Sequence, residues 1–409
     1  MIRFLHTADL HIDRAFEGVR PTESLFTDRL LVANKRVLEN IVKMAIKFQV
    51  DFIILAGDTF HQSFSSPKVQ RLLIDVFQQL FKKAISVFMI FGNHDYYNKS
   101  RFWFRFPKNV FLFTKEEVVT TQLKSKNDEK IAISAFSYEN PWISERKILS
   151  FPKRQKDVDY HLGIYHGEMG GDSGRYAPFS LQKMQEKNYD YWALGHIHYP
   201  KILDQKGRIR YAGAPIGHTR KEKESRSVNL VEINKEVLKV EQIRVATLEF
   251  QLIVCDINFV QTMEELRLLL QEKLESLLGE VQQFVDVKLI NVNEELVSAL
   301  NALELIEFFN SLYPLELSIS DISWQVKEDV LKKSFIPFKK EIIEKRFEEF
   351  VEQNLLKSLS EPLTSKRGVE ELLEIADVNF QKEVYEEAKR RFYSSFELID
   401  DKHVLKGEV

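Results

Sequence analysis

Cysteine is almost missing: Cys255 is the only one in 409 residues. A single thiol cannot close a disulfide within the chain or build a cysteine-based zinc cluster, and it fits a reducing compartment. No run of about 20 apolar residues offers a membrane-spanning helix. The opening "MIRFLHTADLH" reaches a histidine and an aspartate too early for a signal peptide or an anchor. A cytoplasmic protein without membrane contact is therefore expected. An excess of charge of one sign is lacking as well, with 58 Lys and Arg against 61 Asp and Glu. No global field advertises nucleic acid, so any grip on phosphate must come from local groups or from bound metal. Repeats and low-complexity tracts are absent. The hydrophobic content of 44% is ample for two or three domain cores.

The first part of the chain repeats one pattern, a short β-rich run followed by polar residues on the turn: "IRFLHTADLH", "DFIILAGDTFH", "SVFMIFGNHD", "HLGIYHGE" and "YWALGHIH". Between the first three lie helical periodicities at residues 28–48 and 68–83. Near-continuous apolar strands alternating with helices predict a mixed sheet with a parallel core buried on both faces. Ligands of such sheets sit beyond the carboxyl ends of the strands, so the five polar clusters belong on one rim. Residues 123–130 read as a polar hairpin tip. A second unit starts near residue 246 as a small α/β module. From about 328 the mixture of Lys, Glu, Leu and Phe reads as helical.

Asp9, His11, Asp58, Asn93, His94, Asp95, His166, His196 and His198 collect on that rim. Carboxylate, carboxamide and imidazole without thiolate suit Mn²⁺, Fe or Zn²⁺ in five- or six-coordinate sites. The donors are too many for one ion and imply two, with Asp58 at the end of a central strand placed to bridge them. In "DLH" and "HIH" the paired residues are two apart, so in an extended segment both emerge on one side of the chain.

Taken in order, "DLH", "GDTFH", "GNHD", "YHGE" and "GHIH" resemble the five motifs of the calcineurin-like metallophosphoesterases, over roughly residues 1–240. "GDTFHQSFSSP" and "GNHD" resemble the nuclease branch containing SbcD and Mre11, and within it the YhaO-type DNA-repair exonucleases. The resemblance implies a metallophosphoesterase sandwich, mixed β-sheets flanked by helices, over residues 1–245. It further implies a small α/β capping domain over 246–327 and a helical C-terminal region over 328–409. It assigns Asp9, His11, Asp58 and His198 to one divalent ion, and Asp58, Asn93, His166 and His196 to the other, with Mn²⁺ the expected metal. His94 would contact the scissile phosphate and help protonate the leaving oxygen, a task suited to imidazole. Asp95 would steady that imidazole or its turn, and His61 would help position substrate. The implied activity is phosphodiester hydrolysis of DNA in repair, as an exonuclease with some endonuclease action, alongside an SMC-like ATPase of the Rad50 or SbcC type. Homodimers are common among such proteins. The same centre could serve a phosphatase or a cyclic-nucleotide phosphodiesterase, and the chain could instead be a DNA-end-binding scaffold.

Other segments read more plainly. His6 and His161 lie within or before strands and suit structural roles. "RFWFRFPK", residues 101–108, suits a loop anchored by phenylalanines and exposing its arginines. His218 and the charge run "HTRKEKESR" suit a solvated turn.

Overall fold

A computed structural model describes residues 1–16, 24–62, 65–170, 174–223, 226–279, 281–314 and 316–327. The expected helical region over 328–409 lies outside the described residues. Residues 1–327 make one compact unit.

The chain starts with β1 (Ile2–Thr7), α1 (Ser24–Lys47), β2 (Phe52–Ala56), α2 (Pro67–Lys82), β3 (Ser86–Ile90) and β4 (Val110–Leu112). The four strands pair in parallel, each crossover passing over one face. The start of α2 has a local cause: Ser66 accepts from the Val69 N–H, and Pro67 occupies the first turn, where its missing donor costs nothing. Later strands β11 (Ser227–Ile233) and β12 (Leu238–Arg244) complete the sheet by antiparallel pairing beside β1, in the order β12-β11-β1-β2-β3-β4.

A second six-stranded sheet contains β5 (Val119–Lys124), β6 (Lys130–Ala135), β7 (Tyr160–His166), β8 (Tyr191–Gly195), β9 (Lys201–Ile202) and β10 (Ile209–Tyr211), ordered β5-β6-β7-β8-β10-β9. Its centre is parallel and its edges antiparallel. The hairpin joining β5 to β6 has the polar tip expected at 123–130.

The mixed-sheet architecture expected from the sequence is therefore present, built as two sheets face to face. Alternation along each strand divides the core. Phe52, Ile54 and Ala56 face the second sheet, where they meet Ile131, Ile133, Leu162, Ile164 and Ala193. Ile53 and Leu55 face the helices and meet Val37, Leu73 and Phe77. Phe4 stacks on Phe52 at 4.9 Å, and Phe52 meets Phe88 edge-on at 5.5 Å, in the layer between the sheets. The outer face of the second sheet is covered by α3 (Leu181–Glu186) and neighbouring loops, with Tyr165, Trp192 and Leu194 packed against Phe151, Phe179 and Met184.

Residues beyond 247 add a third sheet of three parallel strands, β13 (Leu248–Asp256), β14 (Gln282–Val292) and β15 (Leu317–Val326). The crossovers carry α4 (Met263–Glu275), α5 (Glu294–Ala299) and α6 (Ala302–Leu312). A capping box of Thr262 and Glu265 starts α4. This module buries its own core, centred on Leu266, Leu270, Val285, Val287 and Phe309. Leu248, Phe250 and Phe284 belong instead to the core shared with α1. Among the described residues no helix is long and apolar enough to cross a membrane.

Candidate metal centre

The carboxyl ends of β1, β2, β3, β7 and β8 converge on one rim shared by the two sheets. Asp9 and His11 follow β1, Asp58 follows β2, Asn93 follows β3, His166 ends β7, and His196 and His198 follow β8. The ligand-type groups form two overlapping clusters, Asp9 with His11 and His198, and Asp9 with Asp58 and His166, with the ligand atoms of each within 4.8 Å of one another.

The local backbone is not the extended one that the i, i+2 spacing suggests. Asp9, His11, Asp58 and His196 all take positive φ, at 52°, 42°, 51° and 101°. Such conformations cost a non-glycine residue free energy and persist where surroundings impose them. Here the two loops are laced together: the N–H groups of Asp9, His11 and Ile12 donate to the carbonyls of Gly57, Asp58 and Thr59 at 3.0–3.1 Å. The His196 N–H lies 3.0 and 3.1 Å from the two Asp9 carboxylate oxygens. Gly92 is required by proximity, because a Cβ there would sit 2.2 Å from Asp58 Oδ1 and 2.7 Å from His166 Nε2.

Hydrogen bonds fix which imidazole nitrogens are free. His166 Nδ1 lies 2.9 Å from the Ala56 carbonyl, which only accepts, so Nδ1 carries the proton. Its Nε2 then presents a lone pair, yet it faces Asn93 Oδ1 at 3.1 Å and Asp58 Oδ2 at 3.4 Å. The same logic applies to His198, whose Nδ1 donates to Glu222 at 2.7 Å and whose Nε2 faces His11 Nε2 at 3.2 Å. His196 Nδ1 also reaches Asn93 Oδ1, at 3.1 Å. Buried His11 Nδ1 has no partner among the described residues. Lone pairs pointing at lone pairs are repulsive unless a proton or a metal cation lies between them. The residues therefore fit divalent ions, with oxygen and nitrogen donors only.

The electrostatics of the protein alone point the same way. Burial pushes Asp9 up to about 6. Burial also holds His11 well below its ordinary value and His196 down at about 3. For His166 burial lowers, but the Asp58 charge and hydrogen bond outweigh it and raise the group to about 9. Asp58, which burial would raise, is drawn below the usual carboxylate range by His166, His11 and His94. The cluster thus keeps a proton near Asp58 where no other cation serves, and a metal would replace it.

Asn93, His94 and Asp95 occupy different surroundings. Asn93 is half-buried among the ligands, His94 is exposed, and Asp95 is buried. The His94 N–H donates to Asp58 Oδ1 at 3.0 Å, and its Nδ1 faces the His61 carbonyl at 3.2 Å. The His94 ring stacks on His61 at 4.9 Å, and both lie 5.1 Å from the His11 ring. Asp95 turns inward, accepting from the Gly92, Thr59 and Phe60 N–H groups at 2.7, 2.8 and 3.3 Å. Of the two tasks expected of Asp95, these bonds serve the turn; it makes no hydrogen bond to the His94 ring among the described residues. Burial first, then Asp58, raise its carboxyl to about 7 against those amides.

His6 and His161 stay in the sheets, bonded to Tyr191 and Leu194 and to Ser134 and Gln155. In "RFWFRFPK", Phe102 and Phe106 anchor the loop and Trp103 is 72% exposed. Arg101, however, is buried over the Tyr96 ring at 3.9 Å instead of facing solvent. The solvated-turn reading of residues 218–223 is also corrected. His218 is buried, stacks on Phe16 at 4.9 Å and meets Asn34 at 3.0 Å, while Glu222 grips His198. Glu222 and Arg14, 3.3 Å apart, are site residues without a sequence motif. The only cue was position, since their segments follow strands that end on the rim.

Residues 2–200 match the model of the calcineurin-like phosphoesterase family. The chain carries a calcineurin-like metallophosphoesterase domain, of a hydrolase family whose centre is dinuclear. It is 32% identical over 204 residues to the uncharacterized metallophosphoesterase YhaO of Bacillus subtilis, covering 49% of this chain and 50% of that one. It is 23% identical over 231 residues to the DNA double-strand break repair protein Mre11 of Archaeoglobus fulgidus, covering 52% and 50%. Over 247 residues it is 23% identical to the D component of the SbcCD nuclease of Staphylococcus epidermidis, covering 53% and 62%. The chain thus spans only about half to three-fifths of the length of these curated relatives.

Proposed function

We propose that the chain is a metal-dependent DNA nuclease that hydrolyses phosphodiester bonds, acting mainly from DNA ends in repair. The observation that carries this reading is the pairing of converging metal-type lone pairs with an exposed imidazole, His94, on the same rim. Asp9, His11, Asp58 and His198 would hold one divalent ion, and Asp58, Asn93, His166 and His196 the other, with Mn²⁺ the proposed metal. Bound ions would supply an acidified water and screen the anionic ester. Asn93 contributes its carbonyl oxygen, and its amide position is fixed by two histidines. The exposed His94 ring is the group that would meet the departing oxygen, its Nδ1 turned to the His61 carbonyl and its Nε2 without a hydrogen bond among the described residues. Asp95 keeps the turn that presents both.

DNA as substrate is supported by the "GDTFH" and "GNHD" variants and by relatives named as a break-repair protein and as part of a nuclease. The name of the latter also supports a second subunit, an SMC-like ATPase of the SbcC or Rad50 type, as partner. Incubating Mn²⁺-loaded protein with linear DNA, phosphomonoesters and cyclic nucleotides tests the reading. Shortening of linear DNA is expected. Turnover of the small esters alone would make the protein a phosphatase or cyclic-nucleotide phosphodiesterase, and DNA binding without cleavage would make it a scaffold.

A further inference from the structure

We infer that Glu222 is a positioning residue for the metal centre, and that the loop bearing it, residues 217–223, connects the centre to the three-stranded module. The inference rests on the dinuclear reading of the site.

Glu222 Oε1 accepts from His198 Nδ1 at 2.7 Å and from Arg14 at 3.3 Å, while Oε2 accepts from the His218 N–H at 2.6 Å. Both oxygens are engaged, so the carboxylate cannot turn. A carboxylate that only accepts obliges His198 to carry its proton on Nδ1, which leaves Nε2 as the lone pair directed at His11. The charge also makes that lone pair a stronger donor, as carboxylate–imidazole–metal relays do. All three of these Glu222 partners are donors, which is the setting an ionised carboxylate suits.

The loop is shaped for this contact. A Cβ at Gly217 would lie 2.5 Å from the Glu222 carbonyl oxygen, so only glycine lets the chain fold back so closely. The Glu222 N–H closes the turn on the Thr219 carbonyl at 3.0 Å. Three outside anchors then hold it: His218 on Asn34 of α1, Glu222 on Arg14, and Arg220 on Asp286 of β14 at 3.4 Å. The last crosses from the catalytic sheets to the module, so a shift of β14 would be felt at His198 through two side chains.

Titration of the full-length protein with Mn²⁺, followed by electron paramagnetic resonance of the free ion, tests this without reference to activity. Wild type should take up two ions. Glu222→Ala should weaken one of them roughly 10- to 100-fold and leave the other, with a modest drop in the melting temperature of the metal-free protein from the lost Arg14 and His218 bonds. Glu222→Gln should fall between wild type and Glu222→Ala, because its carbonyl still accepts the Nδ1 proton while the charge is gone. Asp286→Asn should weaken the same ion roughly two- to fivefold. Two ions bound as tightly in Glu222→Ala as in wild type overturn the inference, as does equal loss of both ions. Should Glu222→Ala fail to fold, Glu222→Gln decides, with an unchanged isotherm counting against. An unchanged Asp286→Asn isotherm removes the link to the module. A wild-type protein that binds no divalent ion sinks the dinuclear reading itself, which separates that failure from this one.

Discussion

Asn93, His94 and Asp95 follow one another in the chain and do three different things because the turn sends one to the ligand cluster, one to the solvent and one to the interior. Replacing His94 by Gln should lower DNA cleavage by about 10²- to 10⁴-fold while metal content, measured by atomic emission, stays at the wild-type level. Equal losses of metal and activity would instead make His94 part of the ion cage. Gly92→Ala should act in the opposite way. Its Cβ would collide with Asp58 Oδ1 and His166 Nε2, both fixed in place, so both ions should be lost and cleavage with them. Among individual residues, the motif histidines and aspartates were legible because each ends a strand or lies a few positions beyond one whose apolar run marks it. Glu222 was not legible. It sits in a charge run that reads as solvated, and its partner His198 lies 24 residues earlier. Positive φ at Asp9 and His11 was equally hidden, since neither residue type announces it and the cross-loop hydrogen bonds that impose it come from another strand.

The helices α1 and α2, the strands β1, β2, β3, β7 and β8 that lead into the polar clusters, and the 123–130 hairpin were readable from periodicity and turn residues. Their division into two sheets was not. Strands such as β2 are buried on both faces, so the sequence carries no alternation of polar and apolar residues to say which face meets a helix and which meets another sheet. His6 of β1 shows how the sheets are tied, with Nδ1 against the Tyr191 hydroxyl at 2.9 Å and Nε2 against the Leu194 carbonyl at 3.2 Å, both on β8. Burial holds this imidazole down at about 3, against 6.5 when exposed. Protons then bind the unfolded chain more readily than the folded one between those values. Stability from this group is complete above pH 6.5 and falls as the pH drops towards 3. Urea denaturation should show this group contributing a loss on the order of 3 kcal/mol from pH 6.5 to pH 4. His6→Gln should show a smaller change over the same interval; an identical slope would place the acid sensitivity elsewhere. At the head of α2, Ser66→Ala should cost about 1 kcal/mol in the same assay, without change in metal affinity, because the lost cap bond to Val69 lies outside the ligand set.

For the molecule as a whole, two sheets meet so that five strand ends open on one rim, where imidazole nitrogens face one another and the Asn93 amide oxygen at hydrogen-bond distance beside buried Asp9 and Asp58. With 58 Lys and Arg against 61 Asp and Glu, the proposed nuclease would draw phosphate chiefly through its bound ions. Diffraction from Mn²⁺-soaked crystals, with anomalous maps computed at the manganese edge, tests this most directly. Two peaks about 3.5–4 Å apart, with Asp58 between them and His166 and His198 on opposite sides, are predicted. A single peak, or none while the imidazoles remain paired with each other, would contradict it.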